Sequence, residues 1–320
     1  MGLKRYLSNL FRHDRNTKRL IEGLKLDIQN AQVSLLEKVA TKEFVRSQYL
    51  QDKVLNSNEM GVTSIMFCEH EVVVSLTTHS IRIHDVFLSI ESIMQGTIKP
   101  NRIVLWLAED EFIGKSLPIT LQKQVARGLE ISYCKDIRSY KKLIPTIQKY
   151  PNSIVVTIDD DAMYDVDFLE KLINSHKSNP NVVFSNRIHR MKLDESNMPI
   201  SYMDWDWCVN KYDDSQLNFL VGVGGVLYPP HIFSDEVLNE DVFMDICKYA
   251  DDVWFNAMLL LNKIKVAKSY TKSLRGDDFV DIESGRSVSL CHENANNEKC
   301  RNDVQIKAVW EKYKINKLIE

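Results

Sequence analysis

A chain of 320 residues has room for one large α/β domain with appendages. Its 44% hydrophobic and 27% charged residues are the balance of a soluble globular protein, and a formal net charge of −3 gives no broad cationic field, which argues against nucleic acid as a partner. No run approaches the roughly 18 apolar residues of a membrane span. The basic start, with Lys4, Arg5, Arg12, Arg15, Lys18 and Arg19, lacks the apolar stretch of a secretory signal.

Residues 1–57 read as a helical extension, almost free of Gly and Pro and rich in Leu, Lys, Gln, Glu and Arg. Ile21, Leu24, Ile28, Ala31 and Leu35 recur at three- and four-residue steps, the spacing of a coiled-coil seam. Three roles fit: a helix packed on its own domain, a homo-oligomer contact, or a basic amphipathic segment (Leu3, Tyr6, Leu7, Leu10 and Phe11 against the cations) lying on an anionic membrane. Asn56, Ser57 and Asn58 are turn formers and mark the expected boundary.

From about residue 70, strands alternate with helices. Val72–Leu76 is a buried strand, 85–95 a helix stopped by Gly96, 102–107 a strand and 121–127 a helix ending at Gly128. A strand over 130–134 follows, then a helix over 139–150 entered through a Ser139 cap, a strand over 153–158 and a helix over 166–176. Short links between such elements imply a mostly parallel sheet flanked by helices. The domain is placed at 70–270, and 271–320 is a C-terminal segment ending in a helix.

Ligands of open parallel sheets bind beyond the carboxyl ends of the strands. Those exits are polar here: Thr77, Thr78, His79 and Arg82, then Glu109 and Asp110, then Lys135 and Asp136, then Asp159, Asp160 and Asp161. Three adjacent carboxylates after a buried strand are costly without a cation, and their hard oxygens suit Mg²⁺ or Mn²⁺ shared with substrate phosphates. Alternation along an extended exit puts Asp159 and Asp161 on one side and Asp160 on the other; the competing reading is a solvated turn that caps the next helix.

Downstream, Gly222, Gly224 and Gly225 allow positive φ and close backbone approach, but no Lys-Ser/Thr follows, so this is no phosphate loop; it reads as backbone passing close beside a bound ligand or as a purely structural turn. Asp251 and Asp252 open a helix, where free N–H groups and the dipole stabilise negative charge; one carboxylate is left over for proton transfer, and Asp252 is the expected general base with Asp251 beside it. Asn186–Arg190 follows a strand and could meet donor or acceptor, or stay solvated. Asp204–Trp207 could form an aromatic acceptor wall or pack internally. Six scattered cysteines without CxxC pairs fit reduced thiols in a cytoplasmic protein, and the spacing of Cys291, His292 and Cys300 fits no common zinc site.

The segment Val-Thr-Ile-Asp-Asp-Asp over 156–161 resembles the DxD segment of GT-A glycosyltransferases. Ser75–Arg82, Ser139–Pro145, Phe219–Pro230 and Tyr249–Phe255 resemble, in this order, bacterial enzymes of that class in surface polysaccharide assembly, over residues 70–270. The resemblance implies a Rossmann-like GT-A fold with a Mn²⁺ or Mg²⁺ ion on Asp159 and Asp161. Of the remaining positions, it implies Thr77 near base or ribose, Arg82 near a phosphate, Asp136 on the nucleoside, Lys142 near ribose or phosphate, Asp160, Gly224 and Gly225 along the donor, and His292 as a further metal ligand. It also implies a UDP-sugar as donor, a glycan or glycolipid hydroxyl as acceptor, and a cytoplasmic site, free or peripheral on the inner face of the membrane. The family often has Glu-Asp where this chain has Asp251-Asp252, which bears on Asp251 and leaves Asp252 in place. A sugar-phosphate nucleotidyltransferase would instead carry a Gly-rich basic loop at Thr77–Arg82, and a non-catalytic scaffold would not need both acidic pairs.

Overall fold

The computed structural model describes residues 25, 29, 34, 38, 40–273, 278–282 and 300–319. The chain forms two compact units, Met1–Gln48 and Tyr49–Glu320, so the division precedes the Asn56–Asn58 turn. In the first unit the described residues are helical. The seam from Ile21 to Leu35 and the basic segment before it lie outside the described residues. The second unit begins with helical residues 49–56, whose Leu50 and Val54 stand four apart on one face and are 2% and 0% exposed within the main apolar core.

The second unit is α/β. Its main sheet contains β1 (Val72–Thr77), β2 (Arg102–Ala108), β3 (Leu129–Cys134), β4 (Ile154–Thr157), β6 (Val183–Ser185), β9 (Val226–Tyr228) and β10 (Val266–Lys268), in the order β10-β6-β9-β4-β1-β2-β3. All neighbours are parallel except β9, which runs antiparallel between β4 and β6. Two small ribbons complete it: β5 (Ala162–Tyr164) with β11 (Phe279–Asp281), and β7 (Ile188–Arg190) with β8 (Asn218–Leu220).

Both faces of the sheet are covered, which is why its strands read as continuous apolar runs. Val72, Val74 and Leu76 alternate onto one face, with the helices Val86–Met94 and Phe168–Ser178. Val155, Val183 and Val226 point to the other, packed against Asp251–Leu261 and the C-terminal helix Arg301–Tyr313. The helix expected over 139–150 is divided into a 3₁₀ turn, Arg138–Lys142, and an α-helix, Ile144–Lys149. Pro145 is the reason: lacking an N–H, it is tolerated only in a first turn, so the helix restarts there. Ser139 accordingly lies inside the 3₁₀ turn and caps nothing. Among the described residues, no helix is long and apolar enough to cross a membrane.

Candidate active site

In the main sheet β1 lies between β2, followed outward by β3, and β4, followed by β9, β6 and β10. The order turns back between β1 and β4, and the crevice of an open α/β sheet forms beyond the carboxyl ends at such a point. The exits of these two strands are Thr77–Arg82 and Asp159–Asp161.

The chain turns at Asp160 and Asp161 before entering β5. That turn corrects the simple alternation expected of an extended exit. Thr78 Oγ1 donates to Asp160 Oδ2 at 2.6 Å, and Arg82 Nη1 to Asp160 Oδ1 at 2.8 Å. The same Arg82 nitrogen is 3.1 Å from Asp161 Oδ2, whereas Asp159 Oδ1 accepts from Lys142 Nζ at 2.9 Å. Asp160 and Asp161 therefore share one guanidinium and Asp159 takes a different cation.

Charge is unevenly balanced in this turn. Burial, then Asp159 and Asp160, push the Asp161 carboxyl up to about 7 against the pull of Arg82, and Asp281 on β11 adds to the rise. β11 reaches the turn because Ile282 N donates to Asp161 O at 2.7 Å. Burial opposes the charge on Arg82, but Asp160 and Asp161 outweigh it and raise the arginine pKa.

Lys142 joins this turn to the second acidic pair. It is 7% exposed, and its Nζ lies 2.9 Å from Asp159 Oδ1 and 3.1 Å from Asp251 Oδ2. Burial disfavours its charge, yet Asp159, Asp251 and Asp252 together hold its pKa well above that of an ordinary lysine. Lys142 is thus an internal counter-ion between two acidic motifs. Asp252 accepts the Gly222 N–H at 2.9 Å. Its burial and the adjacent Asp251 push its carboxyl up to about 7, despite Lys142 and that N–H.

The glycine loop closes the third side. A Cβ on Gly222 would stand 2.9 Å from both Asp252 Oδ1 and Lys142 Nζ, so glycine leaves room for these two side chains. Of the three glycines only Gly225 has positive φ, at +82°; at Gly224 the constraint is the Arg187 backbone N, 2.7 Å from where a Cβ would sit. Tyr164 ties loop to turn: its hydroxyl accepts the Asp159 N–H at 2.9 Å and donates to Val223 O at 3.2 Å.

The other expected residues have these protein partners. Thr77 Oγ1 donates to Trp106 O of β2 at 2.9 Å, and Thr78 is the threonine that binds the acidic turn. Asp136, after β3, pairs with Lys141 and accepts the Arg138 N–H at 3.0 Å; these contacts outweigh burial and lower its pKa. In 186–190, Arg187 borders the glycine loop and lies over the Phe279 ring, while His189 is buried and Arg190 pairs with Asp213 at 2.6 Å. Trp205 is core, 4% exposed, whereas Trp207 is 38% exposed and stacks on His189. His292 and Cys291 lie outside the described residues.

Tyr164 and the bridging role of Lys142 were not anticipated. A three-residue strand carries no pattern that would single out Tyr164, and a lysine on a turn gives no sign of burial. No family model matches the chain, and no curated protein matches it.

The donor set suits a hard divalent cation. Asp159 and Asp161 offer carboxylate oxygens, Mg²⁺ and Mn²⁺ are commonly held by one or two of these with substrate phosphates, and a dication would relieve the crowding that raises Asp161. Among the described residues, no group of three or more His, Cys, Asp or Glu side chains is arranged to hold a metal ion.

Proposed function

We propose that this chain is a metal-dependent glycosyltransferase of the GT-A kind, transferring a sugar from a nucleotide-sugar, a UDP-sugar, to a hydroxyl of a bacterial glycan or glycolipid. One observation carries the reading: Lys142 links the acidic turn at the β4 exit to the acidic pair that opens the helix Asp251–Leu261. A transferase needs a diphosphate-neutralising group and a proton acceptor side by side, and this arrangement offers both.

Held by Asp159 and Asp161, the cation would neutralise charge developing on the diphosphate leaving group. Arg82, anchored by Asp160, adds a fixed positive charge at the β1 exit. The Gly222–Gly225 backbone passes between Arg187 and Asp252, whose side chains occupy the space that a Cβ at Gly224 or Gly222 would need. In an inverting transfer Asp252 takes the proton of the acceptor hydroxyl. A carboxyl pushed up to about 7 is a stronger base than an ordinary aspartate and still largely ionised just above neutrality. The mostly parallel α/β sheet and the ordered resemblance from Ser75 to Phe255 support the same reading.

Calorimetry of Mn²⁺ binding with and without UDP is the direct test. Wild type should bind Mn²⁺ in the presence of UDP, and Asp161→Ala should bind at least about tenfold more weakly while remaining folded. Asp252→Asn should keep donor affinity and lose transfer. If neither Mn²⁺ nor Mg²⁺ binds when UDP is supplied, the transferase reading is withdrawn.

A further inference from the structure

Tyr249 lies two residues before Asp251, so its Cα is within about 7 Å of that of the acidic pair's first member. Its half-buried ring gathers three cations. Arg138 Cζ is 4.9 Å from the ring centroid, Arg301 Cζ 5.3 Å and Lys248 Nζ 5.9 Å. They arrive from separate places: the turn after β3, the segment before the helix 251–261, and the first residue of the C-terminal helix. Each is held to the ring by a cation–π contact. Three like charges around one ring repel one another, and among the described residues neither Arg138 nor Lys248 has a carboxylate within salt-bridge distance. Arg138 also sits at φ +56°, a left-handed conformation that non-glycine residues rarely adopt.

We propose that Arg138, Lys248 and Arg301 form an anion-binding subsite for a phosphoryl group carried by the acceptor. A phosphoryl group brings about −1.5 to −2 charge and three acceptor oxygens, which matches two guanidiniums and an ammonium better than the single charge of a carboxylate. The placement assigns it to the acceptor. Donor diphosphate belongs by the transferase reading at Asp159, Asp161 and Arg82, whereas Tyr249 leads directly into Asp251 and Asp252, on the side of the proposed base. The acceptor role rests on that reading; anion binding itself does not. The same phosphomonoester is presented by a sugar phosphate and by the headgroup of phosphatidate.

The experiment uses the full chain with EDTA present, so that no metal-dependent binding contributes. Titrations with glucose 6-phosphate, glucuronate and glucose are paired with flotation on vesicles containing phosphatidate. Wild type should bind glucose 6-phosphate or the vesicles, and Arg138→Gln/Arg301→Gln should lose at least about tenfold, since one charge-assisted hydrogen bond is worth about that much. Tyr249→Leu, which removes the platform and leaves all three charges, should weaken the same ligand. Which ligand responds identifies the source. Equal binding by wild type and the double variant, at unchanged thermal midpoint, overturns the subsite. Glucuronate or glucose binding as tightly as the phosphosugar overturns the phosphoryl assignment. Should Mn²⁺ and UDP fail to bind while this subsite responds as stated, the transferase reading falls and the anion site stands.

Discussion

Two buried side chains show how much single polar atoms carry in this protein. The Tyr164 hydroxyl is the partner of both the Asp159 N–H and the Val223 carbonyl. Tyr164→Phe removes one oxygen and leaves a buried donor and acceptor, a loss of about 1–3 kcal/mol in urea unfolding. Because Asp159 is thereby loosened, Mn²⁺ affinity in the presence of UDP should fall as well. A variant that loses stability with unchanged metal affinity would make Tyr164 a packing residue only. His189 illustrates titration. It is 3% exposed, packed between Tyr202 and Trp207, and its Nδ1 accepts the Cys208 N–H at 2.9 Å. Burial lowers its pKa to about 4, with Arg187 adding to the effect and a backbone hydrogen bond at Ile188 opposing it. A histidine held neutral contributes stability that is present above its unfolded value near 6.5 and is lost as pH falls through about 4. The stake is roughly 3 kcal/mol. Denaturation midpoints should therefore drop between pH 7 and pH 4.5, and more steeply in wild type than in His189→Gln.

At the scale of elements, the glycine loop is fixed by its neighbours. Gly225 adopts φ +82°, and a Cβ there would approach two ring carbons of Phe168 at 2.4 Å. Gly225→Ala should cost about 3 kcal/mol or more, combining a backbone penalty of about 1–2 kcal/mol with overpacking. Adding Phe168→Leu should recover the packing part and leave the backbone part, so the two changes should couple favourably by at least about 1 kcal/mol. Simple additivity in urea unfolding would place the whole cost in the backbone. The elements legible from sequence were those whose signal is local. β1, β2, β3 and β4 are apolar runs buried on both faces, and each starts and stops within a residue or two of its expected limits. The acidic turn and the acidic helix start were legible for the same reason, as charges directly after an apolar run or directly before one. What escaped was set by distant partners. Arg82 and Asp160 are separated by 78 residues, and nothing near either predicts that they pair. β5 and β11 have three residues each, too few to show alternation, and exist because they pair with each other. The 139–150 helix was misjudged because the pattern around Pro145 was helical on both sides and only the proline's missing N–H divides it.

Over the whole molecule, the consequential difference between sequence and structure is where the second unit begins. The turn at Asn56–Asn58 is a natural place to cut by composition, yet Leu50 and Val54 just before it are 2% and 0% exposed and belong to the same apolar core as β1, β2 and β4. Lys123 Nζ also donates to the Leu55 carbonyl at 2.9 Å, so this turn of helix is bound by side chain as well as by packing. Deleting a buried Leu or Val side chain down to alanine already costs about 2–5 kcal/mol, and removal of both with their backbone leaves a larger void. A chain comprising residues 49–320 keeps these side chains and should unfold in one cooperative transition at pH 7. A chain comprising 58–320 should lose about 4 kcal/mol or more, a large part of the 5–15 kcal/mol that holds a typical domain together. Paired thermal and urea denaturation of the two truncations decides the matter. Equal stability would show that the 49–56 helix only covers the core. A collapse confined to 58–320 would show that it is part of the core, and that Mn²⁺ and UDP binding should be measured on the 49–320 chain, where loss of binding cannot be mistaken for loss of fold.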